Sequence, residues 1–339
     1  MRRLAQHALF WPSATLALLL LVNAAFNPSF LAISWRDGHL YGNLIDILNR
    51  AAPLMIVSLG MTLVIAIRGL DISVGAVVAI AAAVAALLVG GGFSADGTAA
   101  SEYPLWFALG AALLAATVCG LWNGVLVVKA GMQPIVATLI LMVAGRGVAQ
   151  LLTGGQIITV YYPPYYVLGS GFLLGVPVAL WIAVLLWAVL QWLATRTALG
   201  LFIRAIGGNP DAARVAGVRA ADIALCVYTF CGLAAGLAGL IISSNVKSAD
   251  ANSAGQLLEL DAILAVTLGG TALTGGRFSL AGTVLGALII QTLTATIYSL
   301  GVPPEVNLVV KAALVFAVML LQSPAFRGLV LRVARGGHA

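Results

Sequence analysis

The sequence predicts an all-α fold, a polytopic transmembrane bundle of about ten helices in two weakly related halves with broken helices. Three observations carry that expectation. Hydrophobic residues make up 62% of the 339, while only 17 residues are Lys or Arg and 11 are Asp or Glu. A soluble domain is about a quarter charged. The few charges also gather in short gaps between long apolar runs, and a helix needs roughly 20 apolar residues to cross the ~30 Å core of a bilayer. Such runs lie near 9–33, 51–68, 72–91, 105–128, 134–153, 172–193, 221–243, 257–275, 279–299 and 307–322. Residues 1–339 therefore read as a single membrane domain, with no hydrophilic interval long enough for a soluble one.

The first run follows Arg2-Arg3 and imitates a secretory signal, with Asn23-Ala24-Ala25 near a possible cleavage point. It continues through Phe30 to Ile33, longer than a signal's apolar core, so a retained helix is expected. No proper loop separates the second and third runs. Arg68-Gly69-Leu70-Asp71-Ile72-Ser73 turns the chain in a few residues. Glycine permits the turn, and Asp71 and Ser73 suit the N-terminus of the next helix, whose dipole favours negative charge. The readings are a tight hairpin in which Arg68 pairs with Asp71, or a gate or a contact with a partner protein.

The fourth run holds Asn123, and the fifth holds Arg146 with Gln150 one turn on, on the same face. Exposing Arg146 to lipid would cost at least about 2.5 kcal/mol, so protein, water or the interface must receive it. Tyr161, Tyr162, Tyr165 and Tyr166 after the fifth run suit a cap at the membrane surface. Glu259 and Asp261 open the eighth run, as helix caps or as contacts for a periplasmic partner. A second glycine-containing break, from Gly269 to Ser279 with Arg277, echoes the first, and the ninth run carries Gln291. Transporters are often built from two such halves. Arg68, Asp71, Ser73, Asn123, Arg146, Gln150 and Gln291 are thus candidates for a path or gate, with the local hairpin as the plainer role for the first three and interhelical hydrogen bonding for the other four. Cys119, Cys226 and Cys231 fall in apolar runs without a CxxC pair and read as small buried hydrophobes.

Orientation follows from the basic residues. With a cytoplasmic N-terminus, the inner segments collect twelve of them, and the outer segments only Arg36, Arg50 and Lys247. Both termini are expected in the cytoplasm. The net charge of +6 then belongs to inner loops rather than to a nucleic-acid surface.

The inner loop, about 196–219, is unusually well punctuated. Gly207-Gly208-Asn209-Pro210 breaks the chain, and Asp211 to Ala216 reads as a short helix ended by Gly217. A short basic helix at the inner face suits docking to a cytoplasmic protein. Leu199-Gly200, Arg204-Ala205, Gly207-Gly208-Asn209, Ala212-Ala213-Arg214 and Ala216-Gly217-Val218 strongly resemble the ribose-type family of ABC sugar-importer permeases. Gly60-Met61-Thr62-Leu63-Val64-Ile65, Leu70-Asp71-Ile72-Ser73-Val74-Gly75, Leu121-Trp122-Asn123-Gly124 and Pro134-Ile135-Val136-Ala137-Thr138-Leu139 extend the resemblance from about Ile45 to Gln322. Ile45–Pro53, Leu141–Gln150 and Leu258–Val266 look like the galactofuranose branch. Gly275-Gly276-Arg277-Phe278 stands where many relatives have Gly-Gly-x-Gly, which makes ribose a poorer guess.

The resemblance implies one permease subunit in a bacterial inner membrane, paired with a second permease, more readily a different one than a copy. A periplasmic sugar-binding protein would deliver substrate, and a cytoplasmic ABC ATPase would drive transport. The chain has no GxxxxGK[ST] loop, so ATP and Mg belong to that ATPase, and no cofactor is expected here. Coupling to it would fall to Arg204, Gly207, Gly208, Asn209, Pro210, Asp211, Arg214 and Gly217. Glu259 and Asp261 would meet the binding protein. Rival readings are a branched-chain amino-acid ABC permease and an ion-coupled carrier, the latter disfavoured because no helix centre holds a carboxylate. A membrane enzyme lacks a nucleophile–base or metal constellation.

Overall fold

The computed structural model describes residues 9–36, 38–90, 101–299, Gly301 and scattered positions between 306 and 320. Arg2, Arg3 and the bounds of the expected helix at 307–322 lie outside the described residues. The helices are α1 (Phe10–Phe26), α2 (Asn43–Ala66), α3 (Val74–Val89), α4 (Leu105–Val128), α5 (Pro134–Thr153), α6 (Pro163–Ser170), α7 (Val178–Arg196), α8 (Ala198–Gly208), α9 (Pro210–Val215), α10 (Ala220–Val246), α11 (Leu258–Leu268) and α12 (Leu280–Ser299). Among the described residues, strands form three short antiparallel ribbons: β1 (Ser34–Arg36) with β2 (His39–Tyr41), β3 (Ile158–Thr159) with β6 (Ser248–Ala249), and β4 (Phe172–Leu173) with β5 (Val176–Pro177). Six of the described helices are long and apolar enough to span a membrane: α2, α4, α5, α7, α10 and α12. The all-α polytopic class is therefore correct, and nine of the expected apolar runs contain a helix.

At the centre stand α2 and α3, both almost wholly buried. α2 begins at Asn43, eight residues before the expected start, because the helix continues through Arg50 and Pro53. Buried neighbours re-satisfy the backbone around such a proline in a membrane bundle. α4 packs on α10 along a seam of Ala108, Ala112, Ala116, Gly120 and Gly124, one small residue every fourth position. A Cβ on Gly120 would lie 2.5 Å from the Tyr228 carbonyl oxygen, so only glycine permits this approach. α1 stops at Phe26, short of the expected 33, and the chain turns through a 3₁₀ segment (Pro28–Leu31) into β1. Asn23 of α1 donates to Thr296 of α12 at 2.7 Å, fastening α1 to the bundle.

Three expectations change. The tyrosine segment is more than a surface cap: α6 seats Tyr165 fully buried, donating to Ser243 of α10 at 2.9 Å. Burial pushes that phenol up to about 12, which keeps it a donor at physiological pH. Cys226 is exposed, not buried. The run expected as one helix over 257–275 is helical only from Leu258 to Leu268, about 16 Å long. Before it, β6 lies beside α3 and the following segment reaches Gly75, where Gly255 and Glu259 crowd the glycine so closely that a Cβ would not fit. This span is therefore a run of turns over 251–257 followed by a short helix. Such non-helical backbone at membrane depth survives only when buried in protein or lining a wet cavity.

Candidate functional site

The α8–α9 platform is built by local capping. Thr197 accepts from Leu199 N–H at 3.3 Å to start α8. Asn209 accepts from both Asp211 and Ala212 N–H at 3.1 Å to start α9, with Pro210 at its first position. Gly217 ends it with φ of +81°, a conformation that favours glycine. α9 buries only Ala213. Asp211 and Arg214 pair loosely at 3.9 Å and project outward. Val215 is 87% exposed, and Leu201 of α8 is 66% exposed. Sequence reasoning passed over both, because each lies among apolar neighbours and its exposure is decided by packing.

Behind the platform, Arg68 does not pair with Asp71. Its Nε donates to Gly207 O at 2.7 Å and its Nη2 to Gly208 O at 2.6 Å. Those carbonyls end α8, where a helix leaves acceptors free and favours positive charge. Asp71 turns the other way, fully buried. It accepts from Ser73 N–H at 3.0 Å, Ser73 Oγ at 2.7 Å and Asn123 Nδ2 at 3.3 Å. Asn123 also donates to Ser73 Oγ at 2.8 Å, so Asp71, Ser73 and Asn123 form one interior cluster tying the start of α3 to α4.

Arg146 lies on α5 and donates from Nη1 to the Ala251 and Ala254 carbonyls at 2.9 and 2.6 Å. Gln150 donates to Asn252 Oδ1 at 2.6 Å. The turn they grip is shaped by Asp250, which accepts from Asn252 N–H at 2.9 Å and from Ser253 Oγ. Arg146, Gln150 and Glu259 line one open-sided cavity of about 380 Å³ with Ala76, Met142 and Val143. Glu259 is only 4% exposed. It sits beside Gly75, some fourteen residues or about 21 Å along α3 from Val89. Glu259 therefore packs against α3, while Asp261, two residues on, is half-buried. Gln291 is elsewhere. It lines a separate cavity of about 610 Å³ with Asp46, Arg50, Asn43, Thr294 and Tyr298. Among the described residues, no three His, Cys, Asp or Glu side chains come together as a metal site.

Residues 43–319 match the family described as branched-chain amino acid transport system / permease component. The chain belongs to this permease family. It is 50% identical to the galactofuranose transporter permease protein YtfT of Escherichia coli (strain K12) over 326 residues, 94% of this chain and 92% of the relative. The fructose import permease protein FruF of Bifidobacterium longum (strain NCC 2705) is 36% identical, covering 98% and 93% of the two chains. The ribose import permease protein RbsC of Escherichia coli (strain K12) is 36% identical, covering 91% of each. No solved structure matches.

The permease is thus a multi-pass inner-membrane protein and a transport subunit, with an ATPase and a substrate-binding protein as the partners its family implies. In the permease, the residues named from sequence separate into four places. Asn209, Pro210, Asp211, Arg214 and Gly217 form the platform. Arg68, Arg204, Gly207 and Gly208 lie behind it. Asp71, Ser73 and Asn123 knit the interior, and Arg146, Gln150 and Glu259 share a cavity that Gln291 does not reach. That arrangement offers hydrogen bonds to a polar solute and a rigid surface to a partner, and no bond-making chemistry.

Proposed function

We propose that this permease moves a sugar, galactofuranose first among candidates, from periplasm to cytoplasm in an ATP-driven importer. The observation that carries the importer reading is the platform: a capped, outward-facing helix pair whose exposed Val215, Arg214 and Leu201 offer an apolar and charged footprint to a soluble protein. That protein is the ATPase, which uses ATP and Mg. The platform end then faces the cytoplasm with both termini, and the end carrying α6 receives the binding protein. There, Lys247 lies over the Tyr166 ring at 4.8 Å. The sugar assignment rests on the relatives, since an Arg146–Glu259 pair would serve a zwitterionic amino acid as well as a polyol. Galactofuranose leads on the 50% identity to YtfT, and fructose or ribose follows at 36%.

The cavity of Arg146, Gln150 and Glu259 opens on the side of α5. Charged groups at membrane depth do not face lipid, so a second permease, a different chain rather than a copy, closes the path there. The test is uptake in proteoliposomes holding this chain, the second permease, the ATPase and the binding protein. ATP-dependent galactofuranose uptake is expected. Uptake of ribose or fructose instead would keep the mechanism and replace the substrate. Uptake driven by an ion gradient without ATP would overturn the mechanism.

A further inference from the structure

Three stretches far apart in sequence converge directly behind the platform. α2 ends at Ala66, α8 ends at Gly207 and Gly208, and the break between α11 and α12 passes through Gly275 and Gly276. Gly276 N–H donates to Ala66 O at 2.9 Å. A Cβ on Gly207 would overlap both that oxygen and Gly276 N, so three backbones touch with no side chain between them. A Cβ on Gly275 would lie 2.6 Å from Arg68 Cγ. Arg204 of α8 sits over the Phe278 ring at 5.3 Å, using the aromatic that stands at the end of the glycine-rich run. Arg68 itself has φ of +65°, uncommon for a residue with a side chain, and its fork spans the last two carbonyls of α8.

We propose that Arg68 is the positioning residue through which movement of the α8–α9 platform reaches both membrane breaks. This rests on the reading that the platform seats the ATPase. Three residues beyond Arg68, Asp71 is fixed to Ser73 and Asn123 at the start of α3. On the other side, Gly276 leads to Ser279, whose N–H donates to Thr271 Oγ1 at 3.3 Å and whose Oγ accepts from Gly282 N–H at 3.0 Å at the start of α12. Close-packed interiors transmit displacement instead of absorbing it. A shift of the end of α8 therefore pulls on the start of α3 through Arg68, and on the start of α12 through Arg68 packed against Gly275 and the Gly276 that follows. Among the described residues, the guanidinium is the side chain in this junction that grips α8 by hydrogen bonds to its main chain. A lysine would keep the charge but could not span two carbonyls in a fixed fork.

The experiment compares the wild-type chain with Arg68→Gln and Arg68→Lys in the complete reconstituted importer. It measures ATPase co-purification, ATP hydrolysis with and without loaded binding protein, and sugar taken up per ATP hydrolysed. Arg68→Gln is expected to retain the ATPase, lose stimulation by the binding protein, and drop uptake per ATP at least tenfold. Arg68→Lys should fall between the two. Uptake per ATP within twofold of wild type for Arg68→Gln would overturn the assignment. Loss of the ATPase from that variant alone would also overturn it, by making Arg68 part of the docking surface. Failure of the wild-type chain to retain any ATPase would overturn the docking reading and this inference with it.

Discussion

Arg146 is held by two backbone carbonyls, Ala251 and Ala254, and among the described residues no carboxylate is in ion-pair contact with it. A guanidinium that spends two donors on main chain still has others to offer, and Arg146 presents its remaining face to the cavity it shares with Glu259. Arg146→Gln leaves both carbonyls without a charged donor and removes the charge facing Glu259. Uptake is expected to fall at least tenfold while the ATPase still co-purifies, because Arg146 lies on α5 and not on the platform. Equal loss of both would assign Arg146 to folding alone. The residue types at these positions were legible in sequence, since an arginine in an apolar run announces itself. Their partners were not, because Ala251 and Ala254 act through main-chain oxygens that any residue carries.

At the scale of elements, the α4–α10 seam shows how small residues set helix spacing. Gly120 and Gly232 meet backbone to backbone, while Gly110, on the same helix, has nothing within 4 Å of a Cβ. Gly120→Ala should destabilise by about 1–3 kcal/mol through overpacking. Gly110→Ala should be neutral or stabilising by up to about 1 kcal/mol, from helix propensity. Thermal unfolding of the detergent-solubilised chain separates the two, and equal midpoints would show that the seam tolerates separation. The broken span before α11 is the element that hydropathy could not locate. Residues 248–257 alternate small and polar groups that look like a loop, and apolar α11 looks like the start of a full span. Only contact with Gly75 reveals that the loop-like half runs inside the bundle.

For the whole molecule, the platform is the place where membrane and soluble parts meet. Val215→Asp puts a charge on its most exposed apolar side chain, and Arg214→Glu reverses its outward charge. Both variants are expected to insert normally and to reduce ATP-dependent uptake at least tenfold, the first by losing the ATPase and the second by uncoupling it. Co-purification and hydrolysis assays distinguish the two effects, and normal uptake by both would remove the platform from the mechanism.

The sequence by itself determined the class of this molecule: apolar runs of spanning length, scarce charge in the gaps, and capping residues that start and stop α8 and α9. Each of these is local, readable from periodicity and from side chains that bond to their own backbone. The tertiary structure alone decided that Arg68 grips α8 instead of Asp71, that Glu259 lies inside, and that Gln291 belongs to a different cavity from Arg146. Those facts join positions such as Arg68 and Gly207, 139 residues apart. The physical reason is that close approach of glycine backbones and hydrogen bonds to carbonyl oxygens leave little mark on local composition. They exist only once the helices have packed.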